Sequence, residues 1–162
     1  MNRTQECGPP VSSKNNGTLG ASGSHAPQRT VLFVDDEPDM LLARRLMFEF
    51  MGYSVFTTES GKEALQLLRV NVVDAVVVDY VMPEMDGEET ARRIRKIRPD
   101  LPIILSSGCL AVPQRVLDTV NASVHKGARQ EMLFETLEQQ LALPTARGAH
   151  DLAVQLGSTV AA

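Results

Sequence analysis

The residues with the clearest capacity for chemistry are five polar side chains, each placed where an apolar segment of the chain stops. They are Asp35, Asp36, Asp79, Ser107 and Lys126. Asp79 is the most conspicuous, because it interrupts the segment VVVDYVMPEMDG at 76–87. A carboxylate that ends an apolar run needs water, a counter-ion or a chemical task. Taken alone, however, an aspartate in such a position is most often a turn former or a helix cap.

These five side chains would acquire a specific chemistry if the fold brought them together. Three carboxylates a few ångströms apart repel each other, which raises the pKa of at least one unless a cation neutralises them. Mg²⁺ suits this task because it prefers hard oxygen ligands and leaves coordination positions for phosphate oxygens. A carboxylate kept ionised in this way can serve as a nucleophile and carry a phosphoryl group. Lys126 and Ser107 would then help neutralise the transferring oxygens.

The elements that would position these residues are indicated by apolar periodicity, which predicts five strands alternating with five helices between about residues 30 and 143. The predicted strands are 31–36, 53–58, 74–79, 101–107 and 122–125. Their apolar runs are continuous, which is typical of strands covered by helices on both faces. The alternation predicts a parallel sheet with right-handed crossovers. Ligands of such sheets bind beyond the carboxyl ends of the strands, where the five polar residues lie.

The predicted helices are marked by apolar residues at helical spacing. The first would begin at Pro38, bury Leu42, Leu46 and Phe50, and end at Gly52. The second is indicated by the Ser60–Glu63 capping box before Ala64, Leu67 and Leu68. The third is marked by Ala91, Ile94 and Ile97 before Pro99, and a weaker fourth by Val112, Val116 and Val120. The last is marked by Leu133, Leu137 and Leu141 within 129–142.

Composition narrows the class of protein. A net charge of −4 over 162 residues argues against a nucleic-acid-binding surface, which needs clustered basic residues. The sequence has neither an apolar run of membrane-spanning length nor the apolar core of a signal peptide. Cys7 and Cys109 are far apart and fit free thiols better than a disulfide. We therefore expect a soluble cytoplasmic protein that binds neither nucleic acid nor membranes.

The chain divides into three parts by amino-acid composition. Residues 1–28 are rich in Gly, Ser, Asn and Pro, which predicts a disordered polar tail because such a segment buries too little apolar surface. Residues 29–143 are predicted to form the one folded domain, and 144–162 a short C-terminal tail. Since no second domain fits after residue 143, a stand-alone protein is expected.

The strand-end residues resemble the receiver domain of two-component response regulators. The motifs are VDDEP at 34–38, DYVMPEMDG at 79–87, Ser107-Gly108 after an apolar strand, and Lys126, in that order. The resemblance covers about residues 30–143. It implies a doubly wound α/β fold of the flavodoxin-like type, with five parallel strands in the order 2-1-3-4-5 and helices on both faces.

The resemblance also implies a role for each residue of the motifs. Asp79 would be the phosphoacceptor. Mg²⁺ would be held by Asp35, Asp36, Asp79 and the main-chain carbonyl of Val81. Ser107 would bond a phosphoryl oxygen after activation, and Lys126 would pair with the phosphoryl group. Ser106 is a competitor for the hydroxyl role, but the spacing from Pro102 and the following Gly108 favour Ser107.

At the level of the whole protein, the resemblance implies a single-domain response regulator of a phosphorelay. It would accept phosphate from a histidine kinase or a histidine phosphotransfer protein and signal by partner binding or onward phosphotransfer. It would catalyse only its own phosphorylation and dephosphorylation, and so is expected to be a regulator rather than an enzyme. Kinase docking in this family commonly involves the first helix, here around 38–51, with Arg44 and Arg45 expected on its solvent face.

The chain departs from the family pattern at three places. Ser123 stands where the family usually has an aromatic residue that relays phosphorylation. Lys126-Gly127 replaces the usual Lys-Pro, whose bond is typically cis; before Gly a cis bond costs about 2.5–4 kcal/mol, so it is only weakly expected here. Val81 and Cys109 occupy the variable positions that tune phosphate lifetime in the family.

The sequence is open to three other interpretations. The missing aromatic residue favours a phosphorylation-independent pseudo-receiver that acts by binding partners. The chain would also look similar if it were the receiver segment of a hybrid histidine kinase. A metal-dependent phosphatase of the haloacid dehalogenase type is disfavoured, because that family has an Asp-x-Asp motif where this chain has Asp79-Tyr80-Val81.

Overall fold

The computed structural model describes residues 28–143 of the 162-residue chain. Its strands are β1 (Thr30–Val34), β2 (Ser54–Thr58), β3 (Ala75–Asp79), β4 (Ile103–Ser107) and β5 (Ala122–His125). Its helices are α1 (Pro38–Phe50), α2 (Gly61–Val70), α3 (Gly87–Ile97), α4 (Gln114–Leu117) and α5 (Gln130–Ala142). The predicted alternation of strands and helices is confirmed. The predicted tails, 1–28 and 144–162, lie outside the described residues except for Gln28.

All five strands of this region are parallel, in the order β2-β1-β3-β4-β5. The predicted doubly wound order 2-1-3-4-5 is therefore confirmed. From β1 the chain moves to β2 on one side and then returns to add β3 on the other. The connections leaving β1 and β3 thus diverge and open a crevice at the carboxyl ends of these strands. The register sets Asp79 opposite Ser106 and Ser107 opposite His125.

The helices cover both faces of the sheet, and each face has its own apolar cluster. Leu32 and Val34 of β1 face α2, α3 and Val116 of α4. Val31 and Phe33, which alternate with them along the strand, face α1 and α5. The central strands are therefore buried on both sides, which explains why their sequences are continuously apolar.

Helix α1 packs on the sheet through a different face from the one predicted. The buried side chains are Leu41, Arg44 and Phe48. Leu42, Leu46 and Phe50 are instead exposed, so their prediction as core residues was wrong. The helix carries apolar residues on two faces, and the charge of Arg44 hid the periodicity of the face that packs.

The remaining helices follow their patterns to different degrees. Leu133 and Leu137 of α5 are buried as predicted. Helix α4 is only four residues long, and its buried residue is Val116. Val112 and Val120 lie outside this helix, but they are partly buried against the apolar cluster that contains Val116. No helix in residues 28–143 is long and apolar enough to cross a membrane.

Candidate functional site

Three carboxylates meet in the crevice between β1 and β3. Asp35 and Asp36 directly follow β1, and Asp79 is the last residue of β3. Because β1 and β3 are paired neighbours with Val34 opposite Val78, their ends lie at the same level of the sheet. One carboxylate oxygen from each acid lies within 4.8 Å of the others. Asp35 and Asp79 are buried, whereas Asp36 reaches solvent.

The chemistry of this donor set fits Mg²⁺. Three carboxylates supply hard oxygen atoms, and a site with one solvent-facing ligand leaves room for the waters that Mg²⁺ retains. Val81, predicted to contribute its main-chain carbonyl, lies two residues after Asp79 in the loop that leaves β3. Its role, and the ligand role of each aspartate, stay predictions.

Lys126 brings a cation to the cluster from the end of β5. Its backbone N–H donates to the Ser107 carbonyl at 2.8 Å, which fixes the start of the side chain. Its Nζ lies 3.1 Å from an Asp79 oxygen, 3.3 Å from the Asp35 carboxylate and 2.9 Å from Glu37 Oε1. Glu37 is a partner that sequence reasoning missed, although its position directly after the acid pair was a signal for it.

The ionisation of the site follows from burial and from these contacts. Burial raises the pKa of Asp79 above its ordinary value, and the hydrogen bond from Lys126 opposes this effect. Burial would lower the pKa of Lys126, but hydrogen bonds to Glu37 and Asp79 outweigh it and hold that pKa above its ordinary value. Lys126 is therefore a permanent cation, and a cation that approached Asp79 would favour its ionised form.

A second cation, Arg44, lies beneath the cluster. Its Nη1 contacts Asp35 Oδ2 at 3.2 Å, and its Nη2 donates to Ser106 Oγ at 2.8 Å. The prediction of a solvent-facing Arg44 was wrong, whereas the neighbouring Arg45 is exposed and pairs with Glu49. The signal for its burial was present in the spacing, because residue 44 shares a helical face with Leu41 and Phe48.

Neither serine at the end of β4 bonds Asp79 in the part of the chain that the structure describes. Ser107 Oγ accepts a hydrogen bond from the Cys109 N–H at 3.0 Å. Ser106 is the residue paired with Asp79 across the sheet, and its hydroxyl is taken up by Arg44. The predicted contact of Ser107 with a phosphoryl oxygen stays a prediction.

The Asp86-Gly87 pair lets α3 begin directly against the end of β3. Asp86 Oδ1 accepts from the Glu89 N–H at 2.8 Å and so caps α3. The Gly87 N–H donates to the Tyr80 carbonyl at 3.0 Å. A Cβ atom at Gly87 would lie 2.3 Å from the Asp79 carbonyl oxygen, which is too close for any other residue without a shift. Glycine is therefore required here by the close approach of two backbones.

Two of the departures from the family pattern, Lys126-Gly127 and Ser123, lie in or next to β5. No cis peptide bond occurs within residues 28–143, so Lys126-Gly127 is trans and the weakly expected cis bond is not found. The Gly127 N–H, which proline would lack, donates to His125 Nδ1 at 2.9 Å. Ser123 is exposed on β5, and no aromatic side chain occupies that position.

Comparison with known proteins identifies similar sequences. A family model described as the response regulator receiver domain matches residues 31–138. The chain is 36% identical over 123 residues to the transcriptional regulatory protein GlrR of Escherichia coli K12, in a match that covers 72% of this chain and 28% of that protein. It is 41% identical over 86 residues to the response regulator MprA of Mycobacterium sp. strain KMS, covering 53% and 37% of the two chains.

The chain therefore spans roughly a third of the length of these curated relatives. Because one of them is named as a transcriptional regulator, the expectation that this chain binds no nucleic acid stays a prediction.

Solved structures with the same fold match this chain over nearly their whole length. The response regulator protein TrrA of Thermotoga maritima, solved in complex with Mg²⁺-BeF, superimposes with a TM-score of 0.66 at 29% identity, covering 70% of this chain and 99% of that chain. A CheY-like receiver domain protein from Methanospirillum hungatei has a TM-score of 0.67 at 25% identity, covering 70% and 94%. The similarity thus extends over nearly the whole of those chains and over the described part of this one.

Proposed function

The chain belongs to the family of response regulator receiver domains, and from that premise we propose that it accepts a phosphoryl group on Asp79. The observation that carries the proposal is the meeting of Asp35, Asp36 and Asp79 within 4.8 Å, with Lys126 Nζ 3.1 Å from Asp79. A buried carboxylate beside a fixed ammonium and two further acids is suited to hold a phosphoryl group with a metal ion.

Asp35, Asp36, Asp79 and the Val81 carbonyl would hold Mg²⁺. When bound, the ion supplies positive charge that neutralises the carboxylates and the oxygens of the transferring phosphoryl group. The need for it is electrostatic, since Lys126 and Arg44 together supply two positive charges against the four carboxylates of Asp35, Asp36, Asp79 and Glu37. TrrA, which is similar to this chain, was solved with Mg²⁺-BeF, and this supports the choice of metal.

The transfer needs little from the protein beyond position and charge. A carboxylate oxygen of Asp79 attacks the phosphorus of a phosphohistidine, so that a P–O bond forms while the P–N bond breaks. The electron pair leaves with the imidazole nitrogen, which then takes a proton from solvent. Lys126 moves its hydrogen bond from Asp79 to a phosphoryl oxygen, and the Ser107 hydroxyl donates to another. This change of partners alters the positions of the Ser107 and Lys126 side chains, and so the surface at the carboxyl ends of β4 and β5.

The donor would be a histidine kinase or histidine phosphotransfer protein that docks on α1. The exposed fractions of Leu42, Leu46 and Phe50 are 56%, 61% and 92%, and their spacing of four residues makes one continuous apolar stripe. Helix α1 begins three residues after Asp35, so a protein that covers this stripe can present its histidine to the acid cluster. Phosphorylation would then alter binding of a further protein or be passed onward.

A second candidate function is phosphorylation-independent partner binding. The observation that favours it is the exposed Ser123 on β5, which removes the aromatic side chain expected to relay phosphorylation. In that case the acidic residues and Lys126 would serve as a fixed ion-pair network.

The two candidates are separated by intact mass spectrometry after incubation with acetyl phosphate, with and without Mg²⁺. We expect a phosphoryl adduct in the wild-type protein that requires Mg²⁺ and is absent from Asp79→Asn. Asp39→Asn is the matched control, because Asp39 is an exposed acid at the start of α1. The Asp39→Asn protein should take up phosphate on Asp79 as the wild type does. A folded wild-type protein that takes up no phosphate under these conditions would favour the second candidate.

A further inference from the structure

Arg44 is a buried charge that the phosphoacceptor chemistry described above does not use. Only 6% of the residue is exposed, and the other charged residues buried to this degree within residues 28–143 are Asp35 and Asp79. Its guanidinium group also lies over the ring of Phe33, with Cζ 5.9 Å from the ring centroid. A cation is costly to bury unless it is paired and hydrogen-bonded, so its position beside the acids has to be accounted for.

The contacts of Arg44 connect two strands that are not neighbours. Asp35 follows β1 and Ser106 belongs to β4, while β3, which ends in Asp79, lies between them. One guanidinium group contacts both, at 3.2 Å and 2.8 Å. The planar fork of Arg suits such a pair of contacts, and its charge is retained across the physiological pH range. The Asp35 carboxylate is therefore held in one orientation by a side chain of α1.

Arg44 differs from Lys126 in how freely it can change partners. Lys126 contacts three carboxylates at the solvent edge of the site, and 16% of its side chain is exposed. Arg44 is enclosed between α1 and the sheet and cannot move away when a cation arrives. A fixed positive charge in contact with one carboxylate of the cluster repels a divalent ion bound by that cluster, and it does so strongly because little water screens it.

We propose that Arg44 is a positioning residue that holds the Asp35 carboxylate when no metal is bound and weakens the affinity of the acid cluster for Mg²⁺. The proposal rests on the proposed function in that it takes Mg²⁺ as the ligand of Asp35, Asp36 and Asp79. Without the guanidinium group, the metal-free protein loses a counter-charge that Mg²⁺ can replace. The metal-free state is then destabilised more than the metal-bound state, and Mg²⁺ binds more tightly.

The test is to titrate the full chain with MgCl₂ by isothermal calorimetry and to record thermal unfolding in EDTA and in saturating Mg²⁺. For Arg44→Met we expect Mg²⁺ to bind about tenfold more tightly, as the loss of one nearby buried charge implies, and the rise in Tm on adding Mg²⁺ to be larger than for wild type. Arg45→Met removes the same charge from the exposed side of α1 and should change the affinity by less than about twofold.

Three further variants separate charge from packing. Arg44→Lys keeps the charge, and Ser106→Ala removes only the second hydrogen bond, so both should bind Mg²⁺ with nearly wild-type affinity. Arg44→Gln is neutral but keeps a donor for Asp35, and it should bind Mg²⁺ more tightly, as Arg44→Met does. If the neutral variants unfold in EDTA, their recovery by Mg²⁺ supports the proposal, and failure to recover overturns it.

Equal or weaker Mg²⁺ binding by folded Arg44→Met would also overturn the role of Arg44. Absence of Mg²⁺ binding by the wild-type protein is a different result, because it would overturn the proposed function itself.

Discussion

Among single residues, the acidic site depends on a few close contacts more than on the acids alone. Lys126 divides its hydrogen bonds among three carboxylates, so a phosphoryl group on Asp79 would compete with Asp35 and Glu37 for the same ammonium. Glu37 is 61% exposed in its side chain and can release Lys126 at little cost, because its carboxylate can be solvated by water. This asymmetry makes Lys126 the mobile cation of the site and Arg44 the fixed one.

Gly87 is the residue at which the smallest substitution should have a large effect. A methyl group there would meet the Asp79 carbonyl oxygen at 2.3 Å and the Tyr80 Cα at 2.8 Å. These are backbone atoms, which cannot move without displacing the end of β3. We expect Gly87→Ala to lower the free energy of unfolding by about 1–3 kcal/mol, measured by urea denaturation.

Gly108→Ala is the matched control for that measurement. A Cβ atom at Gly108 would have no neighbouring atom within 4 Å, so its effect should remain within about 0.5 kcal/mol. Equal stabilities for the two variants would show that the approach of α3 to β3 is not a constraint on the fold.

Among the secondary-structure elements, α1 has two apolar faces in different environments. One face packs on the sheet, where the Phe48 ring lies 4.9 Å from Phe33 and 5.7 Å from Tyr53, centroid to centroid. The other face carries the exposed stripe that ends at Phe50. A large apolar side chain that remains 92% exposed contributes little to the core, and it belongs to the stripe that we propose as the docking surface for the phosphoryl donor.

Phe48 and Phe50 allow a direct test, because the same substitution can be made two residues apart on one helix. Phe48→Ala should lower the free energy of unfolding by about 3–5 kcal/mol through lost burial and the cavity that remains. Phe50→Ala should change it by less than about 0.5 kcal/mol. Both values come from chemical denaturation monitored by circular dichroism, and a large loss for Phe50→Ala would contradict the assignment of faces.

At the scale of the whole molecule, the site is a property of the sheet topology. Lys126 and Asp35 are 91 positions apart in sequence, and they meet because parallel strands place all their carboxyl ends at one edge. Mg²⁺ bound there would connect β1 to β3, two neighbouring interior strands of the sheet. Binding to the folded chain alone must then stabilise the entire domain.

Metal removal is therefore expected to lower the stability of the whole protein. At Mg²⁺ concentrations about 100 times the dissociation constant, the free energy of unfolding should exceed that in EDTA by about 2.7 kcal/mol. The gain should shrink in Asp79→Asn, which removes one anionic oxygen ligand. Thermal unfolding with Mg²⁺, and with Ca²⁺ at equal ionic strength, measures the effect, and an unchanged Tm in Mg²⁺ would contradict it.

Much of this molecule was determined by the sequence itself. Continuous apolar runs between helical patterns specify a parallel sheet covered on both faces, because only strands buried on both sides have that composition. A parallel sheet in turn specifies that strand-ending residues share an edge, so the meeting of Asp35, Asp36, Asp79 and Lys126 could be predicted before any coordinates. The Asp86 cap of α3 was equally local, since it involves residues three positions apart.

Only the tertiary structure decided which face of α1 packs and which charges are shared. A period of 3.6 residues fits both Leu41–Phe48 and Leu42–Phe50, and the choice depends on how the helix docks on the sheet. The burial of Arg44 depends on Asp35, nine positions away, and on Ser106, 62 positions away. Likewise, the contact of Glu37 with Lys126 spans 89 positions. Local sequence cannot encode such contacts, because a buried charge is stable only where distant elements supply its partners.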